Sequence, residues 1–127
     1  MPPSLDREKP GAGPLIQGFA GTGFKVGGRI YAEGLLLTPE EAREWQAPTI
    51  ENLSAVDIEA VVAITPLPEF LLLGTGPMMH RPSPAFVADM EARGIGVEAM
   101  DSRAAARAWG VLRSEDRWIV AALLPLG

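Results

Sequence analysis

The stretch EFLLLGTGPMMHRPSPAF contains an unbroken run of bulky apolar residues from Phe70 to Leu73. Successive side chains of a strand point to opposite faces of a sheet, so a strand made only of such residues must be covered on both faces. Parallel and mixed sheets of α/β proteins have that cover. The run therefore predicts a strand inside an α/β domain, followed directly by a glycine-rich loop.

The chain before this strand predicts a hairpin, a strand and two helical segments. Gly27-Gly28 separates Phe24–Val26 from Arg29–Tyr31, which is typical of a two-residue hairpin turn. A short strand is expected at Leu35–Leu37. The next residues, Thr38-Pro39-Glu40-Glu41, have the spacing of a capping box and predict a turn of helix. In SAVDIEAVVAI, Ser54 is a candidate cap for a helix with one buried side.

The chain after the glycine-rich loop alternates between helices and strands. Ser83 and Pro84 predict the start of a helix that runs to about Arg93, and Gly94 predicts its end in a left-handed conformation. GIGVEAM alternates as a strand does, and RWIVAALLPLG is an apolar closing strand. A third helix between them is capped by Asp101 or Ser102, and its expected buried residues are Ala104, Ala105, Ala108, Trp109 and Leu112.

This order of elements predicts an α/β fold with a central, largely parallel sheet and an N-terminal β-hairpin. The 127 residues, 47% of them hydrophobic, are enough for one core. We expect a single domain over residues 16–127. Residues 1–15, rich in proline, glycine and charge, are expected to be a flexible tail.

Composition excludes several classes of function. The formal net charge is −5 and the basic residues are not clustered, which argues against a nucleic-acid partner. The chain has no cysteine, so thiol chemistry, cysteine-bound zinc and iron–sulfur clusters are excluded. The longest apolar run, residues 118–124, is far too short to cross a bilayer. We expect a soluble, cytoplasmic protein, with peripheral membrane contact left open.

The glycine-rich loop is the main candidate for a binding site. Gly74-Thr75-Gly76 has neither the lysine of a Walker loop nor the three glycines of a dinucleotide fingerprint, so we expect no nucleotide and no cofactor. A smaller anion or metabolite is the alternative, bound by Gly74, Thr75, Gly76, His80 and Arg81 between a strand end and a helix start. In the simpler interpretation, which we favour, the glycines only turn the chain.

The remaining candidate residues are weaker. His80 is the only histidine, so neither a metal site nor a Ser-His-Asp relay has visible partners, and no metal is predicted. The acidic residues show no spacing typical of a catalytic pair. Trp109 is expected in the core. Trp45, between Glu44 and Gln46, is predicted to be an exposed interface residue, through which a homo-oligomer could form.

Several motifs together resemble one family of unknown function. They are GGRIYAEGLLLTPEEAREW, LLLGTG and RGIGVEAMDSRAAARAWGVLRSEDRWIVAALLPL, within a likeness running from about Gly23 to Leu126. That family contains the mitochondrial complex I assembly factor 3 and a human adipogenesis-associated protein. Ser102 stands where the family usually has Thr. The chain also lacks a cysteine and an asparagine that relatives carry, so no role of those side chains is transferred.

The resemblance implies a three-layer α/β domain with a mixed central sheet, about three flanking helices and no established enzymatic activity. The mitochondrial members help to assemble respiratory complex I with a protein partner at the inner membrane. This chain has no Arg- and Ser-rich leader, which indicates a bacterial member. We therefore expect a non-catalytic accessory protein that binds another protein, with a ligand-binding protein or enzyme using the glycine loop as the alternative.

Overall fold

The computed structural model describes residues 13–127, so the predicted flexible tail lies outside the described residues except for its last three positions. The strands of the described part are β1 (Ile16–Ala20), β2 (Gly23–Val26), β3 (Arg29–Tyr31), β4 (Leu35–Leu37), β5 (Ala42–Glu44), β6 (Phe70–Gly74), β7 (Gly96–Met100) and β8 (Val120–Leu123). Its α-helices are α1 (Glu59–Val62), α2 (Pro84–Ala92) and α3 (Ser102–Ser114), and 3-10 turns at Ile50–Asn52 and Ala55–Ile58 precede α1.

The strands form two sheets. The larger has five strands in the order β5-β4-β8-β6-β7, and the smaller has three in the order β1-β2-β3. In the larger sheet, β6 pairs in parallel with both β7 and β8, whereas β4 pairs antiparallel with both β8 and β5. The predicted mixed central sheet is confirmed, and β8 at its centre joins the parallel half to the antiparallel half.

Both faces of the five-stranded sheet are covered, as the apolar run in β6 requires. Leu71 and Leu73 pack into a cluster that includes buried residues of α1 and α2. Leu72 points the other way, into a cluster with α3, β2 and β3. The predicted three-layer arrangement is therefore confirmed, with the small sheet sharing one outer layer with α3.

The predicted hairpin is β2 and β3, with Gly27 and Gly28 at φ 59° and 81° between them. Both values lie in the left-handed region that such a tight turn needs. Strand β1, which the sequence analysis does not predict, extends the hairpin to three strands. Its residues alternate between half-buried and exposed, a weak pattern because two of the five are small.

The helical turn predicted at Thr38-Pro39-Glu40-Glu41 is wrong. The Thr38 hydroxyl does accept hydrogen bonds from the amides of Glu40 and Glu41, at 3.1 and 3.0 Å, as a helix cap would. The Thr38 amide, however, donates to the Glu41 carbonyl at 2.9 Å, which closes a hairpin turn. The chain then returns as β5, which pairs antiparallel with β4. The hydrogen bonds of this pairing stabilise a hairpin turn in place of a helix, although the Thr38 hydroxyl caps both in the same way.

The other helices are confirmed, and α2 and α3 begin in the same way, each with a side-chain cap. The Ser83 hydroxyl accepts from the amide of Phe86 at 3.1 Å, and the Asp101 carboxylate accepts from that of Ala104 at 2.9 Å. The helical segment after Ser54 begins as a 3-10 turn and continues as α1. Gly94, at φ 81°, ends α2 as predicted.

The core side of α3 matches the prediction in part. Trp109 and Ala105 are fully buried, so the predicted core position of Trp109 is confirmed. The Trp109 indole also donates to the Pro14 carbonyl at 2.9 Å, which ties the start of the described chain to the helix. Ala104, Ala108 and Leu112 are only half-buried, and their expected places are taken by Ser102, Ala106 and Arg113.

Candidate functional site

The glycine-rich loop leaves the carboxyl end of β6 beside the ends of β7 and β8. Thr75 within it is buried, and its amide donates to the Met100 carbonyl at 2.8 Å. The Thr75 hydroxyl accepts from the His80 amide at 3.0 Å and lies 2.8 Å from the Met78 carbonyl. The side chain therefore holds the loop in shape from the inside and is not directed toward a ligand.

The backbone of Gly76 is likewise hydrogen-bonded inside the protein, to the side chain of Ser102. Its amide donates to Ser102 Oγ at 2.9 Å, and the same hydroxyl donates to the Leu124 carbonyl at 2.7 Å. Ser102 is fully buried. From the sequence, Ser102 is expected only as an alternative to Asp101 for the helix cap. The one available signal is that Asp101 can fill that role alone, which leaves the neighbouring serine free for another contact.

Gly74 is needed for close packing. A Cβ atom there would lie 2.6 Å from Leu123 Cδ2 and 2.8 Å from Ser102 Oγ. Both contacts are shorter than van der Waals packing allows, so a side chain at this position would push α3 away from the sheet. Packing of α3 on the sheet therefore requires glycine at position 74, independently of any ligand.

The other two predicted site residues lie on the surface. His80 and Arg81 are exposed, and Arg81 borders a groove of about 560 Å³ that does not include Gly74, Thr75 or Gly76. The structure thus separates the five predicted residues into three internal glycine or threonine positions and two outward basic or polar side chains. An anion at this loop stays a prediction, and its remaining donors are the side chains of His80 and Arg81.

The groove runs between α2 and β7. Its lining is mostly apolar and consists of Met79, Arg81, Pro82, Pro84, Val87, Ala88, Glu91, Val97 and Ala99. Arg81 precedes the first turn of α2, and Glu91 lies in its last turn, so the two charges stand at opposite ends of the groove. Such a lining can bind apolar groups of another molecule, while the two charged side chains orient its charged groups.

The predicted exposed position of Trp45 is wrong. Trp45 is 7% exposed and packs in the cluster that contains Leu36, Ile50 and Leu53. Side chains alternate along β5 and beyond it, so Trp45 follows Arg43 onto the face that α1 and α2 cover. A buried Trp45 gives no surface for self-association. Its neighbour Glu44 is exposed because it belongs to an edge strand, and that exposure does not extend to Trp45.

An ion pair that sequence reasoning did not single out joins the start of β6 to the segment before β8. Arg117 donates through Nε and Nη2 to Glu69 Oε1, at 2.9 and 2.7 Å, and the Trp118 amide donates to Glu69 Oε2 at 3.1 Å. The Arg117 hydrogen bonds, with that of the Trp118 amide, lower the pKa of Glu69. Both side chains are exposed, so the ion pair connects the two segments at the protein surface.

Two general properties of the described residues bear on function. Across residues 13–127, no helix is both long and apolar enough to cross a membrane. Within the same range, no group of three His, Asp or Glu side chains is arranged to hold a metal ion.

Comparison with known proteins gives consistent similarities along nearly the whole chain. The profile of the family described as "Protein of unknown function (DUF498/DUF598)" matches residues 16–124. An uncharacterised protein of Rhodobacter capsulatus is 33% identical over 121 residues, which cover 94% of this chain and 92% of that protein.

A vertebrate relative has a name that states a role. The Danio rerio protein named NADH dehydrogenase [ubiquinone] 1 alpha subcomplex assembly factor 3 is 27% identical over 122 residues, covering 96% of this chain and 70% of that protein. Among solved structures, a Bordetella pertussis protein described as a Mth938-like domain is similar, with a TM-score of 0.76 and 28% identity, over 90% of this chain and 87% of that one.

Proposed function

This chain belongs to the DUF498/DUF598 family of proteins of unknown function, and we propose that it is a cytoplasmic, non-catalytic accessory protein that binds another protein during assembly of a respiratory or other membrane complex. The observation that carries the proposal is the similarity, over 96% of the chain, to a protein named as a complex I assembly factor. The family resemblance inferred from the sequence motifs is confirmed by the profile match.

The surface of the molecule supports a binding role. The groove between α2 and β7 has an apolar floor with one positive and one negative side chain at its ends. Met78 and Met79 beside it are 61% and 52% exposed. Flexible, polarisable methionine side chains at a surface are suited to contact with another protein.

The experiment that tests the proposal is affinity purification of the tagged protein at its native level, together with deletion of its gene in the native host. We expect a membrane-complex subunit or a second assembly factor to co-purify. The deletion strain should accumulate incomplete complex I, visible on native gels, and lose NADH:ubiquinone activity. Restoring the gene should reverse both effects.

The proposal fails if the purification yields no protein partner and the deletion leaves complex assembly and activity unchanged. A tagged chain that carries Gly74→Ala, which disturbs packing of α3, provides a control for loss of the folded protein. It should behave as the deletion does.

We propose as the alternative function that His80 and Arg81 bind a small anion. The observation that favours it is that both side chains are exposed at adjacent positions before α2, and Arg81 borders the groove. A thermal-shift series with phosphate, sulfate and small carboxylates tests it, since binding to the native state raises the melting temperature. Arg81→Ala and His80→Ala should abolish the shift, whereas Arg107→Ala on α3 should not. A shift that survives both loop variants contradicts the alternative.

A further inference from the structure

Strand β7 is the end of the five-stranded sheet, and its outer side is available for pairing. Among the described strands it pairs only with β6. The Met100 carbonyl accepts from the Thr75 amide, so Met100 directs its backbone groups toward β6. By the two-residue alternation of a strand, Gly96 and Glu98 do the same, and Val97 and Ala99 direct their N–H and C=O groups to the open edge.

This edge carries one of the features by which proteins usually prevent strand pairing, the single charged side chain of Glu98. The other common ones are short length, lysine, proline and bulges. β7 has five residues, Gly96–Met100, with neither lysine nor proline and with an unbroken register to β6. The opposite edge of the sheet, β5, has only three residues, and two of them are charged.

The groove described above lies directly beside this open edge. Val97 and Ala99 belong to its lining, and by the alternation of the strand their backbone N–H and C=O groups face outward in the plane of the sheet. A strand added to β7 would therefore place every second side chain over the groove. Its main chain would bind Val97 and Ala99, and its side chains would meet Val87 and Ala88 of α2.

The charges at the ends of the groove set the chemistry of such a strand. Residues 93–95 connect the last turn of α2 to β7, so Glu91 lies at the amino end of β7. Arg81 lies before the first turn of α2, at the other end of the groove. An added strand is complementary when it carries an acidic residue near the carboxyl end of β7 and a basic residue near its amino end.

We propose that β7 and the adjoining groove bind an extended segment of a partner protein as a sixth, antiparallel strand of the sheet. This segment has small apolar residues at alternating positions between an N-terminal acidic and a C-terminal basic residue. Antiparallel pairing is the more stable arrangement per residue. The inference rests on the proposed function, because it gives the surface and the chemistry by which the protein partner is recognised.

A second copy of this chain is a poorer occupant. In the antiparallel register that pairs all of β7 with itself, Glu98 lies directly opposite its own counterpart. Like charges at directly opposed positions destabilise a strand pair. The edge is therefore better matched to a different protein.

The probe for the test is the synthetic peptide acetyl-Asp-Thr-Val-Thr-Val-Thr-Lys-amide. Its Asp, both Val residues and its Lys share one face, which matches Arg81, Ala99, Val97 and Glu91 in antiparallel order. The control peptide has Asp and Lys exchanged. Binding is measured by titration, and hydrogen exchange by NMR identifies the amides that the peptide protects. We expect Val97 and Ala99 amides to exchange fast in the free protein and slowly with the probe bound.

Two variants test the two sources of recognition. Ala99→Pro removes one outward N–H and leaves the ladder to β6 intact, so the probe should bind about tenfold more weakly. The double variant Arg81→Glu/Glu91→Arg should reverse the preference and bind the control peptide more tightly. Arg107→Glu, on α3 at the other face of the sheet, is the matched control and should leave binding unchanged. Unchanged exchange of the β8 amides shows that each variant is folded.

Three results would overturn the inference: no binding of the probe, binding that leaves Val97 and Ala99 unprotected, or protection of these amides in the free protein that increases with its concentration. The last result assigns the edge to a second copy. If a native partner co-purifies equally with the wild type, Ala99→Pro and the charge-reversed variant, the edge inference fails and the accessory function stands. If no partner co-purifies with any of them and assembly is unaffected by deletion, the accessory function itself fails.

Discussion

Ser102 joins three segments of the chain through one buried hydroxyl. It binds the amide of Gly76 in the loop after β6 and the carbonyl of Leu124 after β8, while the residue itself begins α3. A hydroxyl that donates once and accepts once satisfies two backbone groups that water cannot reach.

We predict that Ser102→Ala lowers the free energy of unfolding by about 1 to 3 kcal/mol, because it leaves a buried donor and a buried acceptor without partners. Urea denaturation followed by circular dichroism measures the change. Ser114→Ala is the control, since its exposed hydroxyl only donates to the Val111 carbonyl in the same helix. Equal losses in the two variants would show that the buried bridge contributes nothing special.

Trp45 is a second residue whose environment decides its role. Because Trp45 packs in the core, we predict that Trp45→Ala lowers the free energy of unfolding by about 3 to 5 kcal/mol. Trp45→Phe should lower it by less, because it leaves a smaller cavity. Denaturation and light scattering on the same samples provide the measurement. A change in association state with stability preserved would contradict the core position and restore an interface role.

The exposed ion pair of Glu69 and Arg117 predicts that the stability of the protein depends on pH. The folded-state pKa of Glu69 is lowered by the hydrogen bonds from Arg117, so its contribution to stability is present above the ordinary glutamate value of 4.5. It is lost as pH falls through the lower, folded-state pKa. We expect Glu69→Gln to be less stable than the wild type at pH 7 and the difference to shrink in acid. The test is denaturation from pH 7 to pH 2, with exposed Glu51→Gln as the control. A difference that stays constant with pH would contradict it.

At the scale of elements, α2 and α3 share one ending with different residues at its central position. The amide of Ile95 donates to the Met90 carbonyl across Gly94, and the amide of Arg117 donates to the Leu112 carbonyl across Asp116. Asp116 has φ 60°, in the left-handed region, where a side chain is strained. Both helix ends therefore require a left-handed residue, which costs little free energy with Gly94 and more with Asp116.

Opposite substitutions should have opposite effects at these two positions. Gly94→Ala places a Cβ atom at φ 81°, and we predict a loss of about 1 kcal/mol of stability. Asp116→Gly relieves strain of about 1 to 2 kcal/mol and adds unfolded-state entropy of about 0.5 to 1 kcal/mol, so a net gain of roughly 0.5 to 1 kcal/mol is expected. Melting temperatures of the two variants measure both signs. Asp116→Asn keeps a side chain of the same kind in the left-handed conformation, so it should lie near the wild type. A loss in Asp116→Gly would contradict the strain.

Local signals explain which elements the sequence predicts well. The unbroken run in β6, the Ser83-Pro84 start and the Gly94 end each act within a few residues, so they are readable without the rest of the fold. Thr38 shows the limit, because its capping hydroxyl serves a hairpin once β5 pairs with β4. A short strand at the sheet edge has too few residues to reveal its period.

The candidate site was less predictable for the same reason. The loop residues Thr75 and Gly76 looked available from the sequence, yet their partners, Met100 and Ser102, lie about 25 positions later in the chain. The groove next to Arg81 needs α2 and β7 side by side, which no short motif specifies. Contacts distant in sequence, set by strand order, decide both features.

At the scale of the whole molecule, β8 lies between the two halves of the larger sheet. It pairs with β4 on one side and β6 on the other, and all four of its residues are buried. Without it, the sheet divides into the pair β4-β5 and the pair β6-β7. The stability of the fold is therefore concentrated at this strand.

We predict that amide hydrogen exchange is slowest in β8 and β6 and much faster in β1 and β5. Central ladder bonds break only on global unfolding, whereas edge strands open locally. Native-state exchange followed by NMR, across a series of low urea concentrations, measures the opening free energy of each amide. Exchange from β8 at the rate found for β1 would contradict a central role for this strand.

A ribosome completes β8 after every other strand described in this protein. Until then, β4 and β6 each have one strand edge with no partner, beside apolar side chains that only the finished sheet covers. Nascent chains in that condition are the species that aggregate and that chaperones hold. For a protein proposed to help other chains assemble, its own synthesis thus includes a late interval in which unpaired strand edges and uncovered apolar side chains expose it to aggregation.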